Sequence, residues 1–351
     1  MRLRFSAALL CSVTGMLMPA HARDWFPVQV TQTTIEGGTR VEFTPVAKAN
    51  KPWDVCASLP HVKDAYWVAV NYGLVEEARR LGVKLTVHEA GGYSNLNKQI
   101  SQIEDCVVAG ADAVLIGAIS GAGLNNLIAE ISSQGVIVID FMNGVTSGKV
   151  QGRSLVSFDQ MGHFAGKYLA DKYPAGSGLA KVVWFPGPAG ASWVESGNVG
   201  FQAAIKGAGI ELLDTRYGDT GKEVQLKLVE DALQTYPDLD YIVGTAPTAE
   251  AAVQALQARG LQRKVKIISY YSTPEVLNLL RSGEIEAAPS DKPVVQARIA
   301  LDLAVAALQG DSRLQHLGPV PEVITAETLN GFDAASTVAP NGFAPVFTVE
   351  P

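Results

Sequence analysis

Aromatic side chains recur at the ends of predicted strands, and they are the residues best suited to hold a ligand. The rings that follow or end a predicted strand are Tyr66, Trp67, Tyr93, Phe158, Trp193, Tyr270 and Tyr271. Each of them alone is more often a core or rim residue than a ligand contact. Together, at one edge of two facing sheets, they would form an aromatic cage, which suits a methylated ammonium that donates no hydrogen bonds. A sugar site would also stack rings, but these loops offer few of the Asn, Asp and Arg side chains that hydroxyl groups need.

Four aspartates lie close to the same predicted strand ends. Asp64 precedes a helix, where a carboxylate caps the helix N-terminus, and it can also face the positive end of a ligand. Asp140 ends a strand, and Asp159 and Asp291 lie where the chain is expected to cross between two lobes. For these three residues, hydrogen bonding at a hinge and contact with a ligand both remain open.

The sequence offers little that would support catalysis. Its histidines show no HExxH spacing, and no GxSxG elbow or Walker loop occurs. The segment 187–190, Gly-Pro-Ala-Gly, stands between a strand and a helix, which favours a tight turn over an anion-binding loop. Because no nucleophile and base are visible as a pair, a hydrolase or lyase is disfavoured. We expect no enzyme activity, no cofactor and no metal.

The first 22 residues have the pattern of a cleaved secretion signal. A basic start is followed by an apolar run over 5–17 and by the small-x-small cleavage site Ala20-His21-Ala22. That run is too short to span a bilayer, and no later run reaches about 18 residues. We therefore expect an exported protein without direct membrane insertion.

Charge and length narrow the class further. The chain has 28 Lys and Arg against 35 Asp and Glu, a net charge of −7, and it contains no basic run. Such a surface does not suit nucleic acid. With 351 residues and 47% hydrophobic composition, there is material for two lobes, each with its own core.

Two cysteines remain after the secretion signal, and export would expose them to an oxidising compartment. Cys56 lies in the first strand of the alternating series, and Cys106 lies in a helix expected to pack near that strand. We predict a disulfide between them, and two buried free thiols are the alternative.

Strands and helices alternate from Trp53 onward, which predicts an α/β protein. Residues 54–95 read as one right-handed strand-helix-strand unit with a parallel sheet behind it. Two such series in tandem predict two lobes, each a doubly wound parallel sheet. A long apolar helix over 294–309 is expected to return to the first lobe, and 322–328 to the second, so that the chain crosses three times at a hinge.

The predicted organisation has four parts. They are a signal peptide at 1–22, an N-terminal extension at 23–52, a first lobe at 53–158 plus 291–320, and a second lobe at 159–290 plus 321–351. The extension reads as a β-hairpin or a loose strand pair around Gly37-Gly38. It would either cover a sheet edge or serve as a docking surface.

Five segments carry a resemblance to a known family. SLPHVKDAYWVAVNYG, VEEARRLGVKLTVHEAGGYSNL, DQMGHFAGKYL, VGTAPTAEAA and ISYYSTPEVLNLLRSGEIEAAPSD are similar to the TorT family of type I periplasmic binding proteins. The resemblance runs from about Trp25 to the C-terminal GFAPVF and includes both cysteines. It implies the type I two-lobed fold with a three-stranded hinge, a periplasmic location, and trimethylamine N-oxide (TMAO) or a related methylated amine as ligand. It also implies a partner, the periplasmic sensor domain of a TorS-type histidine kinase.

Residue by residue, the resemblance places the ligand cage on Trp67, Tyr93, Phe158 and either Tyr270 or Tyr271, of which Tyr271 is preferred. Asp64 and Tyr66 match motif positions beside the cage. One departure stands out: the QMG motif of similar TorT sequences follows Trp-Phe, whereas here it follows Phe158-Asp159. Because phenylalanine offers a weaker cation-π face than tryptophan, this implies lower TMAO affinity or another methylated amine oxide or ammonium as ligand.

The expected function is therefore that of a periplasmic sensor protein in a two-component system regulating TMAO respiration genes. The alternative is the substrate-binding component of an ABC importer for a sugar or a quaternary amine.

Overall fold

The computed structural model describes residues 24–34, 37–311 and 315–351 of the chain. Two β-sheets with helices packed on their faces make up the fold, which confirms the predicted α/β class. The predicted signal peptide lies outside the described residues. Within those ranges, no helix is long and apolar enough to cross a membrane.

The elements alternate along most of the chain, as the period-2 and period-3.6 patterns predict. The strands of the described residues are β1 (Val28–Thr34), β2 (Gly37–Phe43), β3 (Asp54–Leu59), β4 (Lys84–Glu89), β5 (Ala113–Ile116), β6 (Ile137–Phe141), β7 (Gly152–Ser154), β8 (Ala180–Gly187), β9 (Ile210–Tyr217), β10 (Tyr241–Gly244), β11 (Lys266–Ser269), β12 (Ala287–Ser290), β13 (His316–Pro319), β14 (Glu322–Thr325) and β15 (Thr348–Val349). The helices are α1 (Ala65–Leu81), α2 (Leu96–Val108), α3 (Asn125–Ser133), α4 (Phe158–Lys172), α5 (Ser192–Ile205), α6 (Lys222–Thr235), α7 (Ala246–Arg259), α8 (Pro274–Ser282) and α9 (Pro293–Leu308).

The first sheet has the strand order β15-β4-β3-β5-β6-β7-β13-β1-β2, and the second has the order β14-β12-β11-β10-β8-β9. Strands β3 to β7 pair in parallel, as do β8 to β12 in the second sheet. Every residue of β5 and of β10 is buried. Parallel strands covered by helices on both faces require such continuous apolar runs.

The ends of the chain complete the first sheet. Strands β1 and β2 form an antiparallel hairpin, and β1 pairs with β13, so the N-terminal extension covers a sheet edge. The indole N–H of Trp25 donates to Glu77 on α1 at 2.9 Å and ties the extension to the first lobe.

One predicted boundary needs a correction. The sequence predicts that residues 321–351 belong to the second lobe, and β14 does pair there with β12. However, β15 pairs antiparallel with β4, so the chain crosses a fourth time and ends on the first sheet. The outer edge of β4 would otherwise expose its backbone hydrogen-bonding groups. Val349 is buried in that position.

The predicted disulfide between Cys56 on β3 and Cys106 on α2 is present, with 6.1 Å between the Cα atoms. It joins β3 to α2, which packs on the face of the first sheet that carries the Cys56 side chain. The side chain of His88 lies within reach of both sulfur atoms. Because the two sulfurs are bonded to each other, they offer no thiolate to a metal ion.

Candidate ligand-binding site

A small cavity lies between the two lobes, beyond the carboxyl ends of the strands. Its described lining residues are Tyr66, Trp67, Tyr93, Asn143, Phe158, Met161, Trp193, Thr220, Tyr270, Tyr271 and Asp291. All seven aromatic residues singled out from the sequence therefore face one space. The cavity leaves about 30 Å³ for the centres of water molecules, whereas one water requires ~10–15 Å³. In this arrangement of the lobes, it has room for a compact molecule of a few heavy atoms.

Helix α1 positions the first two rings. Asp64 caps the helix and accepts a hydrogen bond from the backbone N–H of Trp67 at 3.0 Å, which fixes the first turn. Tyr66 and Trp67 consequently stand edge to face, with ring centroids 5.8 Å apart. The Trp67 indole lies against Gly117, where a Cβ atom would come within 2.9 Å of the ring. A side chain at position 117 would therefore displace the indole.

Tyr93, in the loop after β4, is held by a residue that the aromatic pattern does not identify. Asn143 donates from Nδ2 to the Tyr93 hydroxyl at 2.9 Å and to the carbonyl of Ala118 at 2.8 Å. Because the Tyr93 oxygen accepts this bond, its own hydroxyl proton can be donated to a ligand. Asn143 follows β6, so the rule that ligands bind beyond strand ends could have found it.

The second lobe supplies a stacked wall. The Trp193 and Tyr270 rings are nearly parallel, with centroids 5.9 Å apart. The Tyr270 hydroxyl donates to the backbone carbonyl of Trp193 at 3.2 Å, which holds the pair together. Tyr271 meets Tyr66 of the first lobe edge to face at 5.1 Å. The two lobes therefore share one continuous aromatic lining.

Phe158 and Met161 face the cavity from the first turn of α4, where Ser157 caps the helix. Thr220 adds a hydroxyl from the second lobe, 3.1 Å from Nε2 of His61 in the first. Burial lowers the pKa of His61 to about 4, so its imidazole is neutral at pH 7. Met161 and Thr220 carry no aromatic ring, so the ring pattern could not have found them. His61 follows β3 by two residues, and its imidazole packs on Trp67 and Tyr93, so the strand-end rule could have found it.

Two of the four aspartates adjoin the cavity. Asp291 lines it, is 2% exposed, and accepts a hydrogen bond on Oδ2 from the Tyr66 hydroxyl at 2.5 Å. Burial raises the pKa of Asp291 to about 6. Asp64 is half-buried and lines a neighbouring pocket with Thr220 and Glu250. Removal from water raises the pKa of the Asp64 carboxyl to about 7.

Asp140 and Asp159, also predicted as cleft residues, are not among those that line the cavity. Asp140 pairs with Arg153 in register on the neighbouring strand β7, and it accepts the backbone N–H of Val145 at 2.9 Å. Its carboxylate therefore joins strands and a loop of the first sheet. Asp159 lies on the exposed side of α4.

Backbone contacts close the lobes around this cavity. The N–H of Gly121 donates to the carbonyl of Gly190 at 3.2 Å across the gap. A Cβ atom at position 121 would lie 2.1 Å from Oγ of Ser192, so the Ser192 hydroxyl would have to rotate away. Lys63 and Asp219 add a weak ion pair at 3.8 Å.

Sequence comparison gives two strong similarities. A sequence profile of the family described as periplasmic binding protein domain matches residues 55–312. The periplasmic protein TorT of Escherichia coli (strain K12) is 36% identical over 335 residues, which cover 94% of this chain and 94% of that protein.

Two solved structures also resemble the chain over most of its length. An ABC transporter solute binding protein from Bradyrhizobium sp. BTAi1, with bound bis-tris, is 50% identical with a TM-score of 0.79 and covers 92% of this chain and 99% of that one. TorT in complex with the TorS sensor domain, in the presence of TMAO, is 31% identical with a TM-score of 0.76 and covers 84% and 99%. The likeness therefore includes both lobes.

Proposed function

The chain belongs to the TorT-like periplasmic binding proteins, and on that premise we propose that it binds TMAO or a related methylated amine between its lobes and signals to the sensor domain of a membrane histidine kinase. The family consists of binding proteins rather than enzymes. We further propose that residues 1–22 are removed on export, so that the mature chain starts at Arg23. Mass spectrometry of the exported protein tests this start.

The observation that carries the proposal is the aromatic cavity itself. Its rings come from both lobes, and no lysine or arginine is among its described lining residues. Ring faces attract a compact methylated cation, with ~0.5–2 kcal/mol for each well-placed ring. A pyranose has many hydroxyl groups, whereas Asn143, Thr220 and Asp291 are the only non-aromatic polar residues among the described lining residues. The cavity therefore favours a small methylated nitrogen over a sugar.

The cavity also offers hydrogen-bond donors for the oxide of TMAO. The indole N–H of Trp193 is buried and has no hydrogen-bond partner among the described residues. The hydroxyl proton of Tyr93 is free to be donated, because its oxygen accepts from Asn143. We propose that these two donors hold the oxide while Trp67, Phe158 and Tyr271 surround the methyl groups.

Signalling follows from the shared lining. A ligand that contacts Tyr93 of the first lobe and Trp193 of the second binds the closed arrangement more tightly than an open one, and it shifts the population by that difference. The relative TorT has been solved in complex with the TorS sensor domain. We propose that a TorS-type sensor domain distinguishes the two arrangements of this chain.

A second function has a specific observation in its favour. The relative with 50% identity is named as an ABC transporter solute binding protein, and its structure holds bis-tris, a hydroxylated tertiary amine. An importer component for a sugar or quaternary amine would use the same cavity. Binding of a purified TorS-type sensor domain, measured with and without ligand, separates sensing from transport. Neighbouring kinase genes would support sensing, and permease and ATPase genes would support transport.

The ligand class is tested by calorimetry on the exported chain with TMAO, glycine betaine and ribose. We expect heat of binding with at least one of the methylated compounds and none with ribose. Binding of ribose without either amine would refute the cage assignment.

A further inference from the structure

Asp291 presents one carboxylate oxygen that the protein does not satisfy. Its Oδ2 accepts from the Tyr66 hydroxyl at 2.5 Å and from Nε2 of Gln296 at 3.4 Å. Its Oδ1 is buried and has no hydrogen-bond partner among the described residues. The residue is 2% exposed and lines the aromatic cavity. A buried carboxylate oxygen left without a donor is unfavourable, so a ligand that donates to it gains affinity.

Among the described residues, no lysine or arginine lines the cavity beside Asp291. The adjacent Lys292 pairs with Glu322 at 2.7 Å, and Lys63 at the cleft pairs with Asp219. Asp64, which caps the helical turn that carries Trp67, adds a second carboxyl group close enough to act on the lining ring of Tyr271. Burial raises the pKa of Asp291 to about 6, which leaves its carboxyl largely ionised at pH 7.5. The cavity therefore favours a ligand with a net positive charge.

We propose that Asp291 selects, within the class of small methylated amines, those that carry an N–H bond, so that a protonated tertiary amine such as trimethylammonium is preferred to TMAO. This inference rests on the proposed function of the same cavity. The N–H of the tertiary ammonium donates to Oδ1 while its three methyl groups face the rings. The hydrogen bond from the Tyr66 hydroxyl to Oδ2 holds the Asp291 carboxylate in place for that contact.

Tetramethylammonium lacks the N–H donor, and TMAO lacks both the donor and the net positive charge. TMAO has three methyl groups, but at neutral pH its nitrogen carries an oxide in place of hydrogen and the molecule has no net charge. With its oxide held by Trp193 and Tyr93, TMAO offers no donor to Oδ1 and leaves that oxygen without a hydrogen bond. Tetramethylammonium has the positive charge and no donor, and its fourth methyl group would stand where the N–H is needed. Comparing the three compounds therefore separates the effect of the ligand's charge from the effect of its N–H hydrogen bond.

Calorimetry of the exported chain at pH 7.5 with trimethylamine hydrochloride, tetramethylammonium chloride and TMAO tests the proposal. We expect trimethylammonium to bind at least about tenfold more tightly than either of the other compounds, because a hydrogen bond to a charged group contributes an affinity difference of that size. In Asp291→Asn, the preference for trimethylammonium over tetramethylammonium should fall to about threefold or less. Asp159→Asn, on the exposed side of α4, should keep the wild-type preference.

The outcomes are distinguishable. If the wild-type chain binds TMAO more tightly than trimethylammonium, the role of Asp291 is overturned while the proposed amine site stands. If none of the three compounds binds, the amine site fails and this inference fails with it. The wild-type ranking does not depend on the variant, so a misfolded Asp291→Asn chain would not block the test. Circular dichroism and thermal unfolding establish whether that variant is folded.

Discussion

The two walls of the cavity are built by different means. In the first lobe, polar contacts set the rings: Asp64 fixes the turn that carries Trp67, and Asn143 holds Tyr93. In the second lobe, Trp193 stacks on Tyr270, and the one hydrogen bond described above between them runs to the backbone of Trp193. A wall held by polar contacts can be altered by changing one partner without repacking the core. A stacked wall changes only together with the helices and strands behind it.

The packing behind the second wall leaves little space for change. Helices α4 and α5 meet at glycines, and a Cβ atom at Gly162 would lie 1.9 Å from the carbonyl oxygen of Gly197. A Cβ atom at Gly197 would lie 1.9 Å from the Tyr270 hydroxyl oxygen. The stacked wall is therefore rigid, and the polar wall is the more adjustable of the two. From this difference we make four predictions about ligand affinity, ordered from the largest expected effect to the smallest, and one about the pH dependence of stability.

The largest effect is expected from Gly197→Ala. The new methyl group cannot coexist with the Tyr270 hydroxyl, so the ring and the stacked Trp193 must move. We expect ligand binding to become undetectable by calorimetry and the free energy of unfolding to fall by ~1–3 kcal/mol or more. Gly148→Ala is the matched control, because nothing lies within 4 Å of a Cβ atom there. Normal affinity in a folded Gly197→Ala chain would show that the second wall tolerates repacking.

Trp67→Phe tests the first wall, with a loss of about tenfold in affinity expected from the weaker cation-π face. Removing the whole ring is a poor test, because Trp67 is 2% exposed and belongs to the core of the first lobe. Trp67→Ala should lower the free energy of unfolding by ~3–5 kcal/mol whether or not a ligand binds. Calorimetry with thermal unfolding of both variants separates the two roles. Unchanged affinity in Trp67→Phe would make Trp67 a core residue only.

The same difference between the walls decides what the sequence can predict. Periodicity identifies the alternating strands and helices, and the strand-end rule brings seven scattered rings to one cavity. Partners that fix those rings are harder to find, because Asn143 has no ring and reaches Tyr93 only in the folded chain. Asp140 also lies at a strand end, but its carboxylate pairs with Arg153 on the neighbouring strand β7 and does not line the cavity. Strand β15 is two residues long, too short to show a period.

Asp64→Asn should change the charge of the first wall while keeping its geometry, since Asn caps helices about as well as Asp. Loss of a carboxylate near the rings is expected to weaken binding of a cationic ligand by a few-fold. Calorimetry with trimethylammonium and with uncharged TMAO measures this, and only the cation should respond.

The pH dependence of stability offers an independent check on Asp64. Burial raises the pKa of its carboxyl to about 7, compared with ~3.9 in an unfolded chain. The folded state thus holds the proton more tightly, so this contribution to stability is fully present below about pH 4 and is lost as the pH rises toward about 7. Denaturant unfolding across that range should show a smaller decline for Asp64→Asn than for the wild type. The difference should be modest, because the half-buried side chain is partly screened by water. Parallel pH profiles would mean that the carboxyl is solvated.

The smallest effect on affinity is expected from removing the disulfide. Cys56 and Cys106 belong to the core cluster under α2 and α3, whereas Trp67 packs in the cluster under α1 and α9. The double variant Cys56→Ala, Cys106→Ala should therefore lose ~2–4 kcal/mol of unfolding free energy and keep its ligand affinity within about twofold. Denaturant unfolding and calorimetry on the same preparation measure both. A large loss of affinity in a fully folded double variant would show that the face of the first sheet opposite α1 also positions Tyr93. The first wall would then depend on core packing, as the second wall does.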